Sequence, residues 1–155
     1  MKKILCVFVG ILSICTYIGF TNSVSKAHEQ MPIQEEIIVN EVKINDYPMV
    51  INDCTLVPAR AVCKELGFNI VWDKMAQRAT IQSSTMEMNV YIGKDLYSAH
   101  SINALGMTTP ISLGSAPLLI NNKLYVPAEV FRILQGNNDD CLKINDHQVI
   151  LKTIE

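Results

Sequence analysis

The side chains in this sequence best suited to metal chemistry are its soft ligands. Met86, Met88 and Met107 carry thioethers, and Cys54, Cys63 and Cys141 carry thiols, a set that suits Cu(I) better than a harder cation. Their spacing argues for something plainer. Met86 and Met88 are two apart, so on a strand they share one face, where packing accounts for them equally well. The cysteines form no C-x-x-C pair and have no neighbouring histidine, a weak match to any zinc site. They read as small buried hydrophobes, or as one disulfide and one free thiol of undetermined pairing. His28, His100 and His147 are far apart in sequence.

Other chemistry is thinner still. Asp73 follows Trp72 at the end of an apolar run and precedes Lys74, a position that suits closing a turn towards Gln77 and Arg78 as well as it suits a ligand. Arg60 could bind an acidic group on a wall polymer, or pair with Glu65 or Asp73 and hold a helix to a sheet. No serine or cysteine sits in a nucleophile elbow, no glycine-rich phosphate loop occurs, and no paired carboxylates stand apart from turn chemistry. A hydrolase or transferase reading therefore has no positive support, and the expectation is a protein that is not an enzyme and carries no cofactor.

The amino-terminal residues bear on the compartment. Lys2 and Lys3 precede an uncharged run from Ile4 to Phe20, and Ser25 and Ala27 place small side chains where a signal peptidase requires them. Residues 1–27 are expected to be a signal peptide cut after Ala27, or alternatively an uncleaved anchor, although the 17-residue run falls short of the roughly 20 that cross a bilayer upright. Cys15 in Leu12-Ser13-Ile14-Cys15 resembles a lipoprotein box, but Ile14 is bulky and the apolar run continues beyond it. Membrane contact is expected only if the leader is retained. Removing residues 1–27 takes out Cys6, Cys15, Lys2, Lys3 and Lys26 and no acid, leaving 10 of the 13 basic residues against 15 acidic ones, a net charge of −5. Nucleic acid is excluded as a partner on that balance.

These residues must be positioned by a small domain of mostly short strands, preceded by a polar lead-in over residues 28–35. Runs at Ile37–Val39, Val42–Ile44, Met49–Ile51, Thr55–Val57, Asn69–Trp72, Ala79–Gln82 and Met88–Ile92 read as strands. Asn45-Asp46, Asn52-Asp53 and Gly93-Lys94-Asp95 read as turns, the first two as tight antiparallel connections. Pro58 and Gly67 bracket a helix whose Ala59, Val62, Cys63 and Leu66 form one apolar stripe. A shift of 69 residues lays Ile51-Asn52 on Ile120-Asn121, Val57-Pro58-Ala59 on Val126-Pro127-Ala128, Gly67 on Gly136 and Ile81 on Ile150. The second helix would turn Val130, Phe131 and Leu134 inward. The expected fold is α+β, antiparallel hairpins with short α-helices packed on the sheet, built from two degenerate βαβ-type repeats over about 36–93 and 105–155. Residues 98–115 between them read as a looser connection with one short strand near Ile111–Leu113.

The segments Val39-Asn40, Ile51 to Ala61, Glu65-Leu66-Gly67 and Val71-Trp72-Asp73 with Thr80-Ile81 resemble the copper amine oxidase N-terminal domain family, also called the stalk domain. The resemblance covers about residues 36–155, strongly in the first half and weakly in the second. It rests on Asn52, Leu56, Val57, Pro58 and Arg60, on Leu66 and Gly67, on Trp72 and Asp73, and on Val126 and Pro127, all expected to be structural. Asp53 and Asn122 stand where the family has a turn glycine, Glu129 where it has arginine, and Cys141-Leu142-Lys143 where Trp-Asp would fall. The resemblance implies an α+β fold, an antiparallel β-sheet curled around short α-helices, on proteins exported mostly by Gram-positive bacteria, often beside cell-wall or hydrolase modules. Amine oxidation itself would need a quinone-forming tyrosine and three copper-binding histidines on a much longer catalytic domain. The function expected is a non-catalytic, secreted or cell-surface interaction module with an envelope polymer or protein as partner. The alternative is an extracytoplasmic protein that binds copper or another soft metal through Met and Cys.

Overall fold

The structure, a computed structural model, describes residues 36–154. The expected leader and lead-in, with His28, Cys6 and Cys15, lie outside the described residues. Three two-residue turns set the local geometry. Asn40-Glu41, Asn52-Asp53 and Asn121-Asn122 all have positive φ, between 47° and 68°, the type I′ pattern that matches the twist of paired strands. They join β1 (Glu36–Val39) to β2 (Val42–Lys43), β3 (Met49–Ile51) to β4 (Cys54–Pro58), and β9 (Leu118–Ile120) to β10 (Lys123–Pro127). Asp53 and Asn122 thus occupy the left-handed region without being glycine. Asn45-Asp46 does not make a hairpin, because the chain there passes from one sheet to another.

Pro58 ends β4 in an extended conformation and α1 (Ala59–Leu66) follows directly. Its buried stripe is Ala59, Val62, Cys63 and Leu66. Gly67, at φ 74°, stops it: the Gly67 and Phe68 N–H groups donate to the Lys64 and Cys63 carbonyls, a Schellman closure. The second helix, α2 (Glu129–Leu134), ends alike, with Gly136 also at φ 74° and the Gly136 and Asn137 N–H groups bonded to Ile133 and Arg132. Phe68, just beyond α1, and Phe131 of α2 lie with ring centroids 6.3 Å apart.

The remaining strands are β5 (Asn69–Asp73), β6 (Arg78–Gln82), β7 (Met86–Tyr91), β8 (Ala99–Ser101), β11 (Leu142–Ile144) and β12 (Gln148–Leu151). They assemble with the others into three four-stranded sheets, in the orders β11-β12-β1-β2, β3-β4-β10-β9 and β5-β6-β7-β8. The architecture is mostly curled β-sheet with two short helices. It departs from an all-antiparallel arrangement at one place, where β1 runs parallel to β12 with Glu36 opposite Gln148 and Val39 opposite Leu151. In the middle sheet Val57 pairs with Val126, its match under the 69-residue shift. Each half continues from its helix into a hairpin, but the closing strands differ: β6 goes on to antiparallel β7, β12 to parallel β1. The topology does not confirm two full βαβ repeats.

The connection at residues 98–115 is more ordered than its composition suggests. β8 adds to the third sheet, and Tyr97 forms an isolated bridge with Ile111. Tyr97 is fully buried and donates its hydroxyl to the Ser115 carbonyl at 2.7 Å. Asp95 accepts from Ser112 Oγ at 2.6 Å and from the Leu113 and Gly114 N–H groups. Ile111–Leu113 contributes this bridge rather than a strand.

The main core holds Ile37, Val57, Val62, Ile81, Met88, Phe131 and Leu134 among others. A smaller cluster on alternate residues of the middle sheet centres on Leu56, Tyr125 and Cys54. Two polar ties lock distant elements. Buried Ser83 donates to the Leu134 carbonyl at 2.8 Å, satisfying the end of α2. Asn40 donates to the Glu65 carbonyl and to Thr153 Oγ1, and accepts from the Thr153 N–H.

Candidate functional site

The soft ligands are distributed through the packing. Met88, Cys63 and Cys141 belong to the main core and Met86 packs against it, whereas Cys54 belongs to the smaller cluster and Met107 is exposed. All three cysteines are free, so no disulfide joins Cys54, Cys63 or Cys141. Burial pushes the Cys63 thiol up to about 12, and burial raises Cys54 and Cys141 as well. At neutral pH such thiols are protonated and poor ligands or nucleophiles. Among the described residues, no group of three or more His, Cys, Asp or Glu is arranged to hold a metal.

The sequence-motif residues separate into two kinds. Leu56, Val57, Leu66 and Val126 are buried packing residues, Pro58 and Pro127 are buried at strand ends, and Asn52 and Gly67 hold left-handed backbone. Asp73 closes its turn, accepting from the Met75 and Ala76 N–H groups at 3.0 Å each and lying 3.6 Å from Arg78 Nε. Arg60 pairs with neither of the carboxylates considered for it, because Glu65 meets Lys64 at 2.9 Å and Asp73 meets Arg78. Among the described residues the Arg60 side chain has no hydrogen bond or ion pair.

Arg60 instead borders a cleft of about 440 Å³. Its floor is apolar: Ile70 and Trp72 from β5, Ala79 opposite Trp72 on β6, and Leu119 and Leu124 from the β9-β10 hairpin. Arg60 and Lys64, one helical turn apart on α1, supply two positive charges at the rim. Lys123 supplies a third, bonded through Nζ to Asp46, the one acid in the lining. That bond raises the Lys123 ammonium above its ordinary value. The cleft therefore carries net positive charge on a chain that is acidic overall, and Trp72 is the sole tryptophan of the sequence. Such a lining desolvates apolar surface while leaving a guanidinium free for a carboxylate or phosphate, the geometry Arg serves best.

Sequence reasoning reached Arg60 and Trp72 but neither Lys64 nor the assembly of the three into one cleft. The i, i+4 spacing of Arg60 and Lys64 was a usable signal, whereas nothing local in the sequence points from Lys123 or Asp46 to this place. A second hollow of about 400 Å³ lies by Tyr91, Lys94, His100 and Met107, where Lys94 sits 4.9 Å from the Tyr91 ring centroid and His100 Nε2 is 3.3 Å from Glu87. Its charged groups already have partners. Among the described residues no helix is long and apolar enough to cross a membrane.

No solved structure matches this chain. A protein of Brevibacillus choshinensis named protease inhibitor is 30% identical over 97 residues, which cover 60% of this chain and 28% of that protein. The chain thus corresponds to less than a third of that relative's length. The model of the copper amine oxidase N-terminal domain matches residues 36–137, a span that holds α1, Trp72 and every residue of the cleft, and this chain belongs to that family.

Proposed function

We propose that this chain is a non-catalytic interaction module working outside the cytoplasm, and that it takes an anionic partner in the cleft between Arg60 and Trp72. The observation that carries the reading is the unpartnered Arg60 guanidinium at the rim of an apolar cleft. A surface arginine gains little from isolation, whereas beside desolvated surface it gains a charge-assisted, bidentate bond when a carboxylate arrives. The domain that gives the family its name is the non-catalytic part of copper amine oxidases. Export is the reading of the leader, and a relative named protease inhibitor is consistent with an extracellular protein. We also read residues 36–93 and 105–155 as degenerate copies of one hairpin–helix–hairpin unit. Only the first copy has Arg60 and Trp72; Glu129 and Cys141 stand at the corresponding positions of the second.

Trp72 emission tests the proposal directly. Titrating the purified full chain with polyglutamate and with polygalacturonate should give a saturable change with at least one of them, weakened by high salt and by Arg60→Ala. Emission unmoved by either polymer would overturn it. A second reading, inhibition of a protease, is favoured by the name of the Brevibacillus relative. It predicts that the chain lowers the activity of at least one member of a panel of secreted endopeptidases; a panel left uninhibited refutes it.

A further inference from the structure

We infer that the partner of this cleft is a protein, and that it enters as an extended segment pairing with the free edge of β5 while an acidic side chain meets Arg60. The inference rests on the reading of the cleft as the binding site and adds what occupies it.

The strand edges single out β5. Six strands lie at sheet edges: β11 and β2, β3 and β9, β5 and β8. Five of them are only two or three residues long, and short edges resist pairing with another chain. β5 is five residues long, Asn69-Ile70-Val71-Trp72-Asp73, with no lysine, proline or bulge to blunt it. It pairs with β6 through all five positions. Among the described residues its backbone has no other hydrogen-bond partner. A strand of this kind offers a row of unpaired N–H and C=O groups, the main-chain half of strand addition.

The other half of strand addition is a set of side-chain pockets, and Ile70 and Trp72 of this same strand line the cleft. An added segment alternates its side chains, so every second residue can enter the apolar floor. Arg60 then selects a carboxylate flanking those residues, with Lys64, itself paired with Glu65, adding positive potential beside it. A polysaccharide fits less well. Sugar hydroxyls need neutral amides and free carboxylates, and the lining offers Asn122 alone, since Asp46 is engaged by Lys123.

The test uses the full chain and a pool of capped six-residue peptides alternating glutamate or aspartate with valine, leucine or phenylalanine. The pool should shift Trp72 emission and slow amide hydrogen exchange in residues 69–73. Arg60→Ala and, separately, methylation of alternate peptide backbone nitrogens should each weaken binding at least ten-fold. Lys94→Ala, on the far hollow, should leave it unchanged. Both protein variants change exposed side chains, and matching melting temperatures would verify folding. If polygalacturonate moves Trp72 and the peptide pool does not, the protein partner is refuted and the anionic cleft stands. If peptides bind but alternate methylation has no effect, strand pairing is refuted. If neither probe moves Trp72, the cleft reading fails and this inference with it.

Discussion

Replacing one amide oxygen or nitrogen at Asn40 should cost more than its exposed position suggests. Asn40 Nδ2 reaches the Glu65 carbonyl at 2.8 Å and Thr153 Oγ1 at 3.0 Å, while Oδ1 accepts from the Thr153 N–H at 2.8 Å. The residue therefore ties the last turn of α1, the first hairpin and the chain beyond β12. Asn40→Asp keeps the shape, the φ of 47° and the acceptor, but removes both donations. At about 0.5–1.5 kcal/mol each, the loss is about 1–3 kcal/mol. A carboxylate against the negative end of α1 adds about 0.3–1 kcal/mol, and a stronger bond from the Thr153 N–H returns a similar amount. The net cost is about 2 kcal/mol at neutral pH, or about 8 °C in melting temperature for a domain of this size. The substitution also carries a pH signature. Two oxygen neighbours favour the protonated form of the introduced carboxyl in the folded state, so its pKa is raised above the unfolded value of about 3.9. The folded state then binds the proton more tightly, and the deficit shrinks as pH falls through that raised value. Thermal unfolding followed by circular dichroism at several pH values measures both. A variant melting within about 1 °C of the parent at neutral pH, with no pH dependence of the difference, would refute the role assigned to Asn40.

Three further outcomes are expected. Gly67→Ala should lower the urea midpoint by the equivalent of about 1 kcal/mol, purely from the left-handed backbone, since an added Cβ meets no atom within 4 Å; Gly136→Ala, with the same φ and the same open space, should cost as much. Asp95 is held below the usual carboxylate range chiefly by the Ser112 hydroxyl, with the Leu113 and Gly114 N–H groups adding to it. Its stabilisation is complete above the unfolded pKa of about 3.9 and is lost as pH falls through the folded value, so Asp95→Asn should flatten the acid limb of a urea-midpoint profile. Cys54, Cys63 and Cys141 should alkylate slowly in the native protein and fully in denaturant without reductant, read site by site by peptide mass. Protection that persists in denaturant and disappears on reduction would reveal a disulfide and contradict the free thiols.

The parts legible in the sequence are those set by neighbours along the chain. Asn52-Asp53 announces a turn because both side chains tolerate positive φ, and the Ala59, Val62, Cys63, Leu66 spacing announces the buried face of α1. Gly67 announces the helix end for the same local reason. What distant segments decide was not legible. The apolar run Ile37–Val39 marks a strand but is silent on partner and direction, so the parallel pairing with β12 had no local signal. Residues 98–115 read as a looser connection because the bonds that order them, from Tyr97 to Ser115 and from Ser112, Leu113 and Gly114 to Asp95, join residues distant in sequence. Asn45-Asp46 carries the same turn chemistry as Asn52-Asp53, yet the chain there changes sheets. Arg60 and Trp72 could be quoted from a motif, while the cleft needed Lys123 and Leu124 from a hairpin more than fifty residues further on.

The parallel pairing of β1 with β12 has a mechanical meaning. Tension applied at Glu36 and Leu151 in opposite directions would slide the two strands past each other, loading all four register pairs together. An antiparallel hairpin pulled at its open end yields one bond at a time, like a zipper. Shear demands that the whole ladder give way at once, which raises the barrier that governs unfolding under load. The cleft is lined by residues of other elements, outside this sheared pair.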